Sequence, residues 1–227
     1  QRNIAVILDI VMNHAYGQCP LVQMYWDDDK PSANNPWFNQ FSMHPYTIGY
    51  DFNHQSPYTR QFFKDVLSYW LTEYKVDGFR FDLSKGLTQT YTGNDVTAWS
   101  QYDKSRIDIL SDYYNHIKSI NPKAYVILEH FANNDEEIEL ANKGMLLWSG
   151  MIEPYKQVGI GWSENSDLSW AYHANRGFSY PNLVDYRENH DEERVVAAAL
   201  QWGNSSPDYN LKNMFTAVKH QEMSTVL

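Results

Sequence analysis

Val76-Asp77-Gly78-Phe79-Arg80-Phe81-Asp82 is the stretch on which the fold reading turns. It is a short apolar run that ends in a carboxylate, and it lacks the strict alternation of a strand with one wet face. Such runs suit strands buried on both faces, as in parallel sheets. Side chains alternate along a strand, so Arg80 and Asp82 fall on the same face. A guanidinium two residues before a carboxylate favours the ionised form of that acid.

Three other segments share this grammar. Ile4 to Asp9 continues through Ile10-Val11-Met12-Asn13-His14, Ala124-Tyr125-Val126-Ile127-Leu128 leads to Glu129-His130, and Leu183-Val184-Asp185-Tyr186-Arg187 leads to Glu188-Asn189-His190-Asp191. Helical patterns lie between them. Ser56-Pro57 is a helix start, with Phe62, Phe63, Val66, Leu67, Trp70, Leu71 and Tyr74 following at helical spacing. Ile107, Leu110, Tyr113, Tyr114 and Ile117 form a second stripe, ended by Asn121-Pro122. A short helix is predicted from Asp135 to Asn142, closed by Gly144. Another is predicted from Glu192 to Gln201, and a last begins near Leu211. Met145 to Ser149 supplies a further strand. Alternating strands and helices give an α/β architecture with a parallel sheet. Residues 15–55 carry Pro, Asn, Asp and Trp with little periodicity, and read as an inserted loop-rich subdomain. The domain expectation is therefore 1–14 with 56–227, interrupted by 15–55.

Composition narrows the function. The 227 residues include 43% hydrophobic and 20% charged residues, a globular balance, with no apolar run long enough to span a bilayer. The net charge of -10 repels phosphate backbones, so nucleic acid is excluded as a partner, whereas neutral sugars are not. Cys19 is the only cysteine, so no intrachain disulfide forms. Seventeen Tyr and eight Trp suit sugar stacking, although most such rings fill cores. Trp26, Trp37 and Tyr46, in the inserted region, divide between the same two uses.

Residues at the carboxyl ends of barrel strands converge on one mouth. Four converging carboxylates would be strongly destabilising without chemistry or a cation to justify them. Glycoside hydrolysis needs one protonated and one ionised carboxyl group. Arg80 would keep Asp82 ionised and nucleophilic. Glu129 follows an apolar run with no adjacent cation other than His130, so desolvation would keep it protonated.

In order along the chain, the four segments resemble the four sequence signatures of the α-amylase family of glycoside hydrolases. These are Asp9 to His14, Gly78 to Lys85, the Glu129 segment, and Glu188 to Asp191. The resemblance implies a (β/α)8 barrel, here about strands 3 to 7, with the insertion after strand 3. It implies Asp82 as nucleophile, Glu129 as acid/base and Asp191 as transition-state stabiliser. Arg80 would orient the nucleophile, with Asp9 as its structural partner. His14 and His190 would bind sugar where cleavage occurs, and Lys85 on the leaving-group side. Gly86 stands where the family often has His. A structural calcium would be held by Asn13 and the Gly86 carbonyl, with Asp27, Asp28 or Asp29 adding a carboxylate. The expected activity is retaining endo-hydrolysis of α-1,4-glucosidic bonds in starch-like glucans, on malto-oligosaccharide or α-glucan substrates. An α-glucosidase, a transglycosylase or a non-catalytic glucan-binding homologue are the alternatives. A zinc hydrolase is disfavoured, because His14 and His190 paired with acids are a poor zinc set. Oligomeric state is not legible. Both ends read as cut within elements, and secretion or a periplasmic location is the expected compartment.

The plainer readings stand beside these. Asp191 could cap the following helix, His14 and His190 could be satisfied core histidines, Lys85 could be solvated, and Asp27 to Asp29 could form a solvated turn.

Overall fold

A computed structural model describes residues 4–46 and 48–224, which divide into two compact units, one on either side of the Trp148–Ser149 boundary. In the first unit four strands lie parallel: β1 (Ile7–Val11), β2 (Gly78–Asp82), β3 (Tyr125–Leu128) and β4 (Leu146–Trp148), hydrogen-bonded in that order. The α/β class with a parallel sheet is thus present. Phe79 and Phe81 of β2 are fully buried, as the unbroken apolar pattern requires, while Ile4 and Val6 beside the outer strand β1 are exposed.

Three helices follow the strands. α1 (Pro57–Thr72) starts where Ser56 accepts from the Tyr58 N–H. It buries Thr59, Phe63, Leu67 and Leu71, one residue per turn, so the predicted stripe is too wide: Phe62 and Tyr74 face solvent. α2 (Lys104–Ile120) is capped by the Asp103 carboxylate, which accepts from the Ser105 and Arg106 N–H groups. Its buried face includes Ile107, Leu110, Tyr113 and Ile117 as expected, but also Arg106, an unexpected buried charge. α3 (Asn134–Asn142) ends before Gly144, whose φ of 106° suits only glycine without strain.

Residues 15–55 are loop-rich. They contain the four-residue helix Pro20–Gln23 and small antiparallel pairs, His14–Ala15 with Tyr50–Asp51 and Trp26–Asp27 with Lys30–Pro31. The segment is not a separate compact unit, because its residues belong to the first one. Its carboxyl end is pinned by His54, fully buried, whose Nε2 lies 2.7 Å from the Met12 carbonyl and Nδ1 2.8 Å from the Tyr113 hydroxyl.

The second unit contains the helices Ile152–Gly159, Val195–Trp202 and Met214–Ser224, packed around Ile160, Ala198, Ala199 and Ala217. The predicted helix Glu192–Gln201 begins three residues later, and the last helix begins at Met214 rather than near Leu211. No helix among the described residues is long and apolar enough to cross a membrane.

Two stability outcomes are expected. A Cβ at Gly78 would stand 2.3 Å from the Tyr125 carbonyl oxygen, so Gly78→Ala must push β2 and β3 apart. It should lower the unfolding free energy by about 1–3 kcal/mol in urea titration. Burial lowers the pKa of His54 from 6.5 to about 4. Between those values the unfolded chain binds the extra proton and the folded chain does not, so stability is full above about 6.5 and falls as pH drops towards about 4. The loss should approach about 3 kcal/mol. His54→Asn should flatten the slope of urea midpoint against pH in that window, and an unaltered slope would assign the loss to other groups.

Candidate active site

Parallel pairing of β1 with β2 sets Asp9 opposite Arg80, and β2 with β3 sets Arg80 opposite Ile127, two residues before Glu129. That register brings three carboxylates to one guanidinium. Arg80 Nη1 donates to Asp9 Oδ1 at 2.8 Å and to Asp82 Oδ1 at 2.7 Å, and Nη2 donates to Glu129 Oε2 at 2.8 Å. The Arg80 side chain is 5% exposed, Asp82 26% and Glu129 14%, so the carboxylates stay reachable while the cation does not. Burial opposes the charge on Arg80, but its hydrogen bond to Asp9, the charge of Glu129 and its hydrogen bond to Asp82 hold its pKa above the usual value.

This corrects one expectation. Glu129 was expected to have no cation beside it except His130, yet it shares the Arg80 fork with Asp82. His130 instead turns its ring to Ser84 and Glu136. The carboxylate of Glu129 also accepts from the Leu83 N–H at 2.8 Å. Leu83 has φ 40° and ψ 49°, a left-handed conformation that a branched residue adopts only when its surroundings impose it.

The first unit adds a residue that sequence reasoning missed. Trp148, at the end of β4, lies under the Arg80 guanidinium at 4.1 Å. A strand-end aromatic in the predicted Met145–Ser149 strand was the available signal, but only the packing of β4 beyond β3 shows which cation it meets.

Asn13 Nδ2 donates to the Asp82 carbonyl at 2.9 Å and reaches Asp82 Oδ2 at 3.4 Å, while Asn13 Oδ1 meets His14 Nδ1. His14 is half-buried. Burial lowers its pKa, the charges of Asp82 and Asp51 oppose that, and His44 adds to it. Lys85 departs from expectation. Its ammonium donates to the Phe131 carbonyl at 2.9 Å and Ser100 Oγ at 3.1 Å, and packs over Trp99 at 4.1 Å. Its left-handed neighbour Leu83 turns the chain into Ser84–Leu87, a single turn with Lys85 buried. It therefore ties loops together. Burial lowers its pKa to about 8, the Arg106 charge adds to this, and Glu137 and Glu136 oppose it.

The proposed calcium ligands Asn13 and Gly86 lie side by side, since a Cβ at Gly86 would be 3.1 Å from Asn13 Cβ. The set does not fit a hard cation. His44 Nε2 is equally close to that Cβ position, and it lies 3.5 Å from Asp51 Oδ1, so an imidazole stands where more oxygen is needed. Among the described residues no group of three His, Cys, Asp or Glu side chains could hold a metal. Asp27 and Asp29 flank a hairpin turn at Asp28, φ 60°, whose carbonyl accepts from Trp26 Nε1 at 2.7 Å, which is the solvated-turn reading. Trp26 packs edge-on against Tyr50, Trp37 lies by Tyr25, and Tyr46 is exposed.

In the second unit His190 Nε2 lies 3.4 Å from Asp191 Oδ2, with both side chains about two-thirds exposed, at 63% and 62%. Asp191 is not a helix cap. The helix Val195–Trp202 takes its first N–H bond from Val195 to Glu188 Oε2 at 2.9 Å, which leaves the Asp191 carboxylate to solvent and His190. His190 is likewise no core histidine.

No family model matches the chain. It is 26% identical over 163 residues to α-amylase 3 of Dictyoglomus thermophilum, a match covering 64% of this chain and 30% of that protein. It is 36% identical over 96 residues to the chloroplastic isoamylase SU1 of Zea mays, covering 39% of this chain and 12% of that one. Its fold is similar to that of the pullulanase from Anoxybacillus sp. complexed with maltotriose, with a TM-score of 0.60, 22% identity, and coverage of 98% of this chain and 31% of the other. The chain thus spans less than a third of each of these proteins. The four motifs stand in order, Arg80 joins the second to the third, and the chain is similar in sequence to proteins named α-amylase and isoamylase and in fold to a pullulanase.

Proposed function

We propose that the protein carrying this chain is a retaining α-glucan hydrolase, with Asp82 as nucleophile, Glu129 as acid/base and Asp191 as the third carboxylate of the site. The observation that carries this reading is that Asp82 and Glu129 meet on one guanidinium. Two carboxyl groups on one guanidinium suit a pair acting on a single sugar; attack by one of them calls for a separation of about 5–5.5 Å, an inverting pair for about 6.5–9.5 Å to admit water between. The strands β1 to β4 are read as strands 3 to 6 of a (β/α)8 barrel, and Leu183–Val184 as strand 7.

In the first step an oxygen of Asp82 attacks the anomeric carbon. The bond to the leaving oxygen breaks, and Glu129 delivers its proton to that oxygen. In the second step Glu129 takes a proton from water, which displaces Asp82 with net retention. Arg80 aims the nucleophile, while Trp148 and Asp9 hold Arg80. His14, His190 and Asp191 are assigned to the sugar hydroxyls. The relative named α-amylase supports starch-like glucans as substrates, and the neighbour complexed with maltotriose supports malto-oligosaccharide binding. Endo-cleavage of α-1,4 bonds is the first reading. The relative named isoamylase and the neighbour named pullulanase favour a second, in which the cleaved linkage is one that pullulan offers and amylose lacks.

In the full-length protein, Glu129→Gln should lower kcat on malto-oligosaccharide by roughly 10²–10⁴-fold while leaving binding intact. Asp82→Asn should abolish turnover. Proton NMR of the first product should show the α anomer, and a β anomer would overturn the nucleophile assignment. Amylose and pullulan, assayed side by side, separate the two linkage readings.

A further inference from the structure

Behind Glu129 lies a chain of buried polar groups that the two chemical steps do not use. Arg106 grips Glu136 with two parallel bonds, Nε to Oε1 and Nη2 to Oε2, each 2.7 Å. Glu136 Oε1 meets His130 Nε2 at 2.7 Å, and His130 Nδ1 meets Ser84 Oγ at 2.9 Å. Ser84 then donates to the Glu129 carbonyl twice, from Oγ at 2.9 Å and from its backbone N–H at 2.8 Å. All four of these residues are essentially inaccessible. Burial would raise the pKa of Glu136, but His130 and Arg106 draw it below the ordinary value, so its carboxylate stays charged.

A buried ion pair of this kind is a poor way to gain stability. Desolvation offsets most of the attraction, and a well-packed apolar set of the same volume often does better. Its location gives another reason. The relay joins the two turns that carry the reacting carboxylates, and each turn holds a residue in the left-handed region: Leu83 at φ 40° and Phe131 at φ 54°. Such residues persist only where surrounding structure over-determines them. Ser84 follows one and His130 precedes the other. Lys85 adds a second tie, from its ammonium to the Phe131 carbonyl, and its own carbonyl accepts from Trp99 Nε1 at 3.2 Å and Arg106 Nη1 at 3.4 Å. The Leu83 N–H points at the Glu129 carboxylate because of this turn.

We propose that the Ser84–His130–Glu136–Arg106 relay is a set of positioning residues for Glu129, fixing the Leu83 and Phe131 turns so that the acid/base carboxyl meets its donors and the leaving oxygen together. This rests on the acid/base role of Glu129 proposed above. None of the four touches substrate; each acts through the geometry of Glu129.

The test uses Ser84→Ala, which removes the hydroxyl link, and His130→Gln, whose amide can still donate to Glu136 but not to Ser84. Both are made in the full-length protein, beside Glu129→Gln, and kcat/KM is measured on malto-oligosaccharide and on α-maltosyl fluoride. Fluoride departs with little need of a proton, so a defect in acid catalysis shrinks on that substrate. Displacing an acid by about an ångström costs up to ~10²-fold, so each variant should lose roughly 10–100-fold on the oligosaccharide and much less on the fluoride. Equal losses on both substrates, or a lower melting temperature with both kcat/KM values unchanged, would overturn the positioning role and leave a purely structural one. Should one variant fail to fold, the other carries the comparison. A wild-type protein inactive on both substrates, or an unimpaired Glu129→Gln, would instead sink the acid/base reading and the relay with it.

Discussion

Arg80 is the constraint around which the first unit is organised. A guanidinium buried between strands is costly unless every charge it faces is opposite and close. Here Asp9, Asp82 and Glu129 supply that charge from three successive parallel strands or their ends, and Trp148 on the fourth covers the open face. Sheet register is therefore tied to the site. A slip of one residue in β2 would send Arg80 and Asp82 to the opposite face together and leave Asp9 and Glu129 without a cation. Packing of Phe79 and Phe81, on the other face of the same strand, opposes the slip from the apolar side.

The same arrangement bears on the division of labour proposed for the two carboxylates. One guanidinium touching both cannot by itself make one acid and the other base. The difference lies in what else each group meets. Glu129 accepts from the Leu83 backbone and sits on a carbonyl held by Ser84, while Asp82 has Asn13 beside it and is the more exposed of the two. Under the proposed roles, the left-handed turns at Leu83 and Phe131 are part of that distinction, with the buried Arg106 and Glu136 as their anchor.

The inserted segment is bound into the first unit through contacts that its sequence does not advertise. His54 bridges the Met12 carbonyl and the Tyr113 hydroxyl, Phe52 stacks on Phe38, and Asp51 lies against His44. Gly86 leaves room for the His44 ring, which stacks on Trp99, and Trp99 in turn lies under the Lys85 ammonium. Gly86 and the buried Lys85 thus pack against the same pair of rings.

The sequence alone determined the strand–helix alternation, the N-cap at Ser56, the shared face of Arg80 and Asp82, and the order of the four motifs. All of these follow from local periodicity, from side-chain alternation or from residues adjacent in the chain. Tertiary structure decided what depends on distant partners. It decided that Arg80 reaches Glu129 as well as Asp82, that Trp148 stacks on it, that Lys85 turns inward, and that Arg106, Glu136, His130 and Ser84 form one chain. A helical stripe cannot reveal a buried arginine such as Arg106, because its partner Glu136 stands on another helix, and only the folded packing of α2 against α3 makes the burial of that charge tolerable.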